Sequence, residues 1–326
     1  MNDAPAANPG PVRLRLPATS ANLGAGFDAA AIALDFYLEI EAGPAADFSI
    51  TATGRDWQRC ARLENNLVLD AYSALLEANG RPVVPLAIHM NNAIPLGMGC
   101  GSSAAGRLAA VALAVHFGRL AWESGRIIDE ACRLEGHPDN VAACWLGGLV
   151  MAAYEDDHVR AAQVDPPASW RAIVVLPAEP LSTTQARAVL PATYPRADVV
   201  ANLQSAALLG LAFAQARGDL LRVAMNDRIH QPYRAPFCPL LPLLSPLIGQ
   251  QGILGLALSG AGPAVLVVVE DPAHLDHAAA AIHRIAENNY DVELLVSRFP
   301  AARESQPINA RQAPGVLQVS SRSLGS

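Results

Sequence analysis

Residues 95 to 105 read Pro95-Leu96-Gly97-Met98-Gly99-Cys100-Gly101-Ser102-Ser103-Ala104-Ala105. Three alternating glycines precede two serines and an apolar run of helical spacing. Glycine lets a backbone approach a ligand closely and take positive φ. A helix start offers uncommitted N–H groups and a positive dipole end to an anion. The chemistry this pattern suits is phosphate binding. The chain has no lysine, because all 23 basic residues are arginine. The lysine of the common phosphate loop is therefore absent, and a phosphate must be met by backbone amides, arginine and a metal ion. A serine at the helix start can cap the helix or ligate Mg²⁺. The plain alternative is a tight strand-to-helix turn of small residues, but three glycines and two serines exceed what such a turn needs.

Three other segments carry candidate chemistry. Glu135-Gly-His137-Pro-Asp139-Asn140 places polar residues between two apolar helical stretches. A carboxylate there could hold Mg²⁺ against nucleotide phosphates, and His137 could hydrogen-bond a substrate. A solvated loop with a structural histidine is the competing reading. Ala18-Thr-Ser-Ala-Asn22-Leu-Gly-Ala-Gly-Phe-Asp28 has Asn22 and Asp28 flanking two glycines, which could also be an Asx-type turn. Leu258-Ser-Gly260-Ala-Gly262-Pro-Ala264 lies between two apolar strands. Alone it reads as a glycine hairpin. Two glycine-rich loops in different halves point to a ligand shared at a domain interface.

The elements that must position these residues follow from periodicity. Val12–Leu16 alternates as a half-buried strand does, followed by a turn-rich segment to Asp28. Strands are expected near Phe36–Ile40, Ser49–Thr53, Leu86–Met90, Arg171–Leu176 and Asp291–Val296. Helices are expected over Asn66–Asn79, ending at Gly80, and over Ser103–Phe117, Gly125–Leu134, Val199–Ala216, Leu220–Ile229 and Asp271–Asn288. Pro236–Pro246 should be irregular and packed. Leu254–Glu270 should be strand, glycine turn, strand. The second half therefore reads as α+β rather than strict βαβ alternation. The acidic stretch Glu155–Ser169 marks the boundary between a domain over 12–165 and another over 166–300, with tails at 1–11 and 301–326. The end after Pro300 reads as poorly ordered.

Composition narrows the class. At 326 residues two domains are expected. A net charge of −7 with scattered arginines argues against nucleic-acid binding. Cysteines at 60, 100, 132, 144 and 238 form no Cys-x-x-Cys pair, so a disulfide framework or zinc site is not expected and a reducing cytoplasm is. The first residues lack the regions of a signal peptide, and no uninterrupted apolar run reaches membrane-spanning length.

The four segments, in this order, resemble the GHMP kinase superfamily (galactokinase, homoserine kinase, mevalonate kinase and phosphomevalonate kinase), and among these the homoserine kinases. Ser182-Thr183-Thr-Gln-Ala-Arg187-Ala-Val-Leu-Pro191 and Pro232-Tyr-Arg234 also resemble homoserine kinase segments. The resemblance covers about residues 12–300. It implies an α+β fold with an N-terminal domain like the second domain of ribosomal protein S5 and a ferredoxin-like C-terminal domain, with ATP between them. It implies ATP-dependent phosphorylation of the L-homoserine hydroxyl in threonine biosynthesis, with Mg²⁺ and commonly as a homodimer. The 95–105 loop, Gly260 and Gly262 would hold ATP, and Ser103 and Glu135 the metal. Asn22, Asp28, His137, Arg187 and Arg234 would hold the amino acid, and Asp139, Asn140 and Thr183 would serve catalysis. Guanidinium suits an α-carboxylate, and Asp28 an ammonium or hydroxyl. The alternatives are another acceptor of mevalonate or shikimate type, or a non-catalytic nucleotide-binding paralogue. Cys100, Ala25, Thr184, Gly106 and Arg107 depart from the family pattern. Arg107, one turn past Ser103, points either toward phosphate or to solvent.

Overall fold

A computed structural model describes residues 9–286, 290–301 and 316–318. The chain opens on β1 (Val12–Ala21), β2 (Ala30–Pro44) and β3 (Ser49–Gly54), then α1 (Trp57–Cys60), α2 (Leu67–Ala78) and β4 (Leu86–Asn92). Three consecutive helices follow, α3 (Ser102–Phe117), α4 (Ser124–Glu135) and α5 (Asp139–Leu146), and then the hairpin β5 (Leu149–Glu155) and β6 (His158–Val164). The second half runs β7 (Arg171–Pro177), α6 (Thr183–Ala188), α7 (Arg196–Ala214), α8 (Leu221–Ala224), α9 (Gln231–Arg234) and α10 (Leu240–Leu244). It closes with β8 (Ile253–Leu258), β9 (Val265–Val269), α11 (Leu275–Ala286), β10 (Val292–Arg298) and β11 (Val316–Gln318).

Two sheets result. The larger has the order β11-β1-β2-β4-β3, with β5 on β2 and β6 on β5. Only the β3–β4 pair in it is parallel. The 15-residue β2 changes partner along its length, pairing with β5 at Ala30–Ile32 and with β4 at Leu38–Pro44. The smaller sheet is antiparallel, β10-β7-β9-β8. On β7, Ala172, Val174 and Leu176 join the main core while Ile173 and Val175 face a second cluster with Leu244 and Ile282. Strands buried on both faces read as continuous apolar runs, as Arg171–Leu176 does. The main core is continuous from β1 through α3 to β9. Helix α3 is buried on nearly every side and rich in alanine, which lets its neighbours approach closely.

Several expectations are corrected. The first strand does not stop at Leu16 but runs to Ala21. Its register with β2 shifts between Pro17 and Ala18, and a bulge is where a strand tolerates proline. A helix over Leu220–Ile229 shrinks to α8, because Asp227 takes the N–H groups of Ile229, His230 and Gln231 and starts a new turn instead. Pro236–Pro246 is not wholly irregular, since it contains α10. The acidic stretch Glu155–Ser169 contains β6, paired with β5. Within the polar end, Val316–Gln318 pairs with β1. Residues 302–315 and 319–326, the tail at 1–8 and the last two positions of the expected helix to Asn288 lie outside the described residues. Helix α7 is long and apolar enough to span a membrane by length and composition. Its Leu209, Ala212 and Phe213 are buried in the core, with Phe213 against Trp170 at 5.2 Å between ring centroids.

Candidate active site

The 95–105 loop connects β4 to α3. Gly101 is the N-cap of α3 at φ 73°, and no side chain caps the helix. Its first N–H groups are thus left for a ligand. A Cβ at Gly99 would stand 2.0 Å from the Ser259 carbonyl, and one at Gly101 would stand 1.9 Å from Thr19 Oγ1. Only glycine permits these close contacts, which join the loop to the Ala18–Asp28 segment and to the second glycine turn. Thr19 N–H donates to the Cys100 carbonyl at 3.1 Å, and Gly260 N–H to the Ala21 carbonyl at 3.1 Å. Ser259 Oγ donates to the Gly99 carbonyl at 2.8 Å. Asn22 Nδ2 donates to the Gly260 carbonyl at 2.7 Å, and Asn22 Oδ1 accepts the Asp28 N–H at 3.0 Å. Asn22 therefore staples two loops together.

These loops frame a cavity of about 380 Å³. Of the expected site residues, Leu96, Gly97, Gly99, Cys100, Gly101, Ser102, Ser103, Glu135, Asp139, Asn140 and Gly260 line it, as do Asn22, Asp28, His137, Arg187 and Arg234. Pro95 and Met98 face a neighbouring cleft with Arg55 and Glu293. Ala104 and Ala105 lie fully buried beneath the loop. Gly262 lies against Cys238, whose Sγ would be 2.6 Å from a Cβ there. Thr183 opens α6; its side chain lies outside the described residues. Leu181, just before it, donates its N–H to the Gly97 carbonyl at 3.3 Å.

At the head of α3, Ser103 Oγ donates to Glu135 Oε2 at 2.8 Å. Glu135 ends α4, and Arg107 reaches the same Oε2 with its Nε at 2.7 Å. Arg107 thus points neither to solvent alone nor away from the site. The Glu135–Asn140 turn is partly inside the protein: Asp139 is 1% exposed. Asp139 Oδ1 accepts from His137 Nδ1 at 2.6 Å and from the Asn140 N–H at 2.6 Å. Burial alone would lower the His137 pKa, but the Asp139 hydrogen bond and the carboxylates of Asp139, Asp28 and Glu135 outweigh it and raise it above 6.5. Asn140 Oδ1 accepts the Thr19 hydroxyl at 2.6 Å, which fixes the turn to β1.

Across the cavity, Arg187 Nη1 and Nη2 grip Asp28 Oδ2 and Oδ1 at 3.0 and 2.8 Å. Arg234 is only 1% exposed and has no carboxylate partner among the described residues. Its Nε donates to the Ala186 carbonyl at 3.0 Å, and its Nη1 meets His230 Nδ1 at 3.0 Å. Burial, and after it the charge of Arg187, lowers the Arg234 pKa from its ordinary value. Both guanidinium groups lie over the Phe27 ring, the Arg187 carbon 5.6 Å and the Arg234 carbon 5.4 Å from its centroid. Asp28, His137 and Asp139 also bring three potential ligand atoms within 4.8 Å of one another.

The sequence reading missed Thr19, Phe27, Asp227 and His230 as site supports. His230 Nε2 lies 2.9 Å from the Gly24 carbonyl, and the ring stacks on Phe27 at 5.1 Å. His230 stands directly before Gln231-Pro-Tyr-Arg234, so the signal was an adjacent residue at i−4 to the arginine it touches. The reading also missed a second cavity of about 340 Å³ lined by Leu38, Asn66, Val68, Met90 and Ile94. Leu67, Leu96, Ser102 and Arg59 line both cavities. Gly106 lines it as well, and a Cβ there would stand 2.7 Å from Leu67 Cδ2. Burial pushes the Cys100 and Cys132 thiols up to about 12 and that of Cys238 up to about 11, which favours their protonated form.

Comparison with known proteins bears on this geometry. Residues 66–148 match the GHMP kinases N-terminal domain and residues 211–288 the GHMP kinases C-terminal domain. A homoserine kinase of Solibacter usitatus is 44% identical over 262 residues, 79% of this chain and 84% of that one. A homoserine kinase of Deinococcus radiodurans is 40% identical, covering 78% of this chain and 83% of that one. The crystal structure of a homoserine kinase from Cytophaga hutchinsonii superposes with a TM-score of 0.77 at 24% identity, covering 97% of this chain and all of that one.

Proposed function

The chain belongs to the homoserine kinase family of the GHMP kinases, and on that premise we propose how its residues transfer the γ-phosphoryl group of ATP to the side-chain hydroxyl of L-homoserine. The observation that carries the reading is the uncapped start of α3 facing, across one cavity, a buried arginine with no carboxylate partner among the described residues. An anion-binding helix end and an anion-seeking cation at opposite walls suit a triphosphate and an amino-acid carboxylate.

The backbone amides of Gly99–Ser103 bind the phosphates in place of the missing lysine. The adjoining cavity of about 340 Å³, apolar at Leu38, Val68, Met90 and Ile94, takes the nucleoside. Ser103 and Glu135 fit a hard divalent cation, because a hydroxyl and a carboxylate oxygen stand 2.8 Å apart at the edge of the phosphate loop. These two residues would hold Mg²⁺, whose charge would offset that on the transferring phosphoryl group.

Arg234 takes the homoserine α-carboxylate. Arg187 and Asp28 exchange their mutual bond for the two poles of the zwitterion, Arg187 adding to the carboxylate and Asp28 receiving the ammonium. Asp139 Oδ1 is filled by His137 and the Asn140 N–H, which leaves Oδ2 to accept from the substrate hydroxyl and aim it at phosphorus. Phosphoryl transfer through a loose transition state depends more on such positioning than on a strong base. Thr183, which opens α6, is the further candidate for contact with the γ-phosphate. A crystal structure with a non-hydrolysable ATP analogue and homoserine tests the assignment. Phosphate oxygens should lie within hydrogen-bonding distance of the Gly99–Ser103 amides and the α-carboxylate on Arg234. A carboxylate held elsewhere would defeat it.

A further inference from the structure

Arg107 stands one helical turn beyond Ser103 on α3. Its Nε is 2.7 Å from Glu135 Oε2 and donates to Ser103 Oγ at 3.3 Å, while Ser103 Oγ donates to the same Oε2 at 2.8 Å. The three groups form a closed triangle. The Ser103 proton is committed to Glu135 and one of its two lone pairs to Arg107, and Oε2 accepts twice. A divalent cation that takes Ser103 Oγ and Glu135 Oε2 as ligands would stand beside the Arg107 guanidinium, positive charge against positive charge. Ligation by these atoms therefore opposes the Arg107 contacts.

Exchange is physically open. The Glu135 side chain is 10% exposed and held by its helix, whereas that of Arg107 is 27% exposed on a long flexible stem. Arg107 can retreat to water with its charge solvated, and a hard dication prefers carboxylate oxygen more strongly than a guanidinium does. From this we infer that Arg107 is a built-in cation that the divalent ion must displace, so that Arg107 sets how much metal the protein requires. The inference rests on Ser103 and Glu135 being the metal ligands.

Mn²⁺ titrated into the full-length protein, followed by the electron paramagnetic resonance signal of the free ion, tests both layers. Arg107→Met and Arg107→Gln should bind Mn²⁺ about tenfold more tightly than the parent, the gain expected when a partly buried ion pair no longer competes. The Gln variant keeps a donor for Ser103 without the charge, and so separates competition from loss of packing. Glu135→Gln should bind about tenfold more weakly or worse. Equal or weaker Mn²⁺ binding by both Arg107 variants, with Glu135→Gln still impaired, overturns the role of Arg107 alone. Unimpaired Mn²⁺ binding by Glu135→Gln overturns the metal site, and the exchange with it.

Discussion

Arg234→Met separates binding from stability. Arg234 is 1% exposed and, among the described residues, bonded only to the Ala186 and Gly260 carbonyls and to His230. Its charge has been taken out of water without a hydrogen-bonded carboxylate among the described residues, and burial, outweighing the more distant Asp28 and Asp227, lowers its pKa. The substrate carboxylate is that missing partner, and little solvent remains to screen the bond. A charge-assisted hydrogen bond in such a setting is worth about 2–3 kcal/mol. At about 1.4 kcal/mol per decade, loss of it raises the homoserine KM about 30- to 150-fold. The KM for ATP should stay within about twofold, because the phosphate loop does not use Arg234. Removing a buried charge is favourable, but Met leaves the Ala186 carbonyl and His230 Nδ1 without their donor, at about 1–3 kcal/mol, so the melting temperature should fall by only a few degrees. Steady-state kinetics with each substrate saturating in turn, together with thermal unfolding, reads all three. A homoserine KM within about threefold of the parent, or an equal rise in both KM values, would refute the carboxylate assignment.

Other expectations follow from the same geometry. Arg187→Ala should raise the homoserine KM only about tenfold, since Arg187 and Asp28 are 39% and 31% exposed and must part before Arg187 reaches the substrate; a rise above that for Arg234→Met contradicts this order. Ser103→Ala and Glu135→Ala should lower kcat about 100-fold or more with the homoserine KM little changed, and unaltered turnover at saturating Mg²⁺ removes the metal assignment. His137 has its folded pKa raised, so its contribution to stability is full below about pH 6.5 and is lost as pH rises through the folded value. Urea unfolding across pH should therefore show His137→Gln converging on the parent toward alkaline pH, and a pH-independent difference counts against it. For Asp35, burial would raise the pKa, but hydrogen bonds from Arg298 and Tyr37 outweigh it and lower it below 3.8. Its contribution, about 0.5–1 kcal/mol for so exposed a pair, is present above that value and fades as pH falls through the folded pKa. Asp35→Asn should lack this acid-dependent loss, and identical acid unfolding of variant and parent would contradict it.

The glycine geometry of the 95–105 loop was legible because it is local. Gly99 and Gly101 face backbone or hydroxyl oxygen at about 2 Å from any added Cβ, so only glycine could stand there whatever the rest of the fold. The second glycine turn was legible for the same reason, since a Cβ at Gly262 would stand 2.6 Å from Cys238 Sγ, whereas the Glu135–Asn140 turn stood out by its polar residues between two apolar helical stretches. The partners that hold them were not. Thr19 lies 121 residues from Asn140, and Gly260 lies 238 from Asn22, so no periodicity links them. Arg107 shows the limit well. Its spacing from Ser103 was visible, but its direction depends on where the end of α4 delivers Glu135. The strand through Pro17 escaped because proline usually ends such a run, and here a bulge accommodates it. The Arg187–Asp28 pair was seen as two ligands rather than one ion pair because the Phe27-containing turn folds back on itself only in three dimensions.

ADP release measured with L-homoserine, with its analogue lacking the amino group, and without acceptor tests the central claim most directly. The two-pole site of Asp28, Arg187 and Arg234 predicts turnover with L-homoserine, at least about tenfold lower kcat/KM for the desamino analogue, and background release without acceptor. Equal kcat/KM for homoserine and the desamino analogue would contradict it.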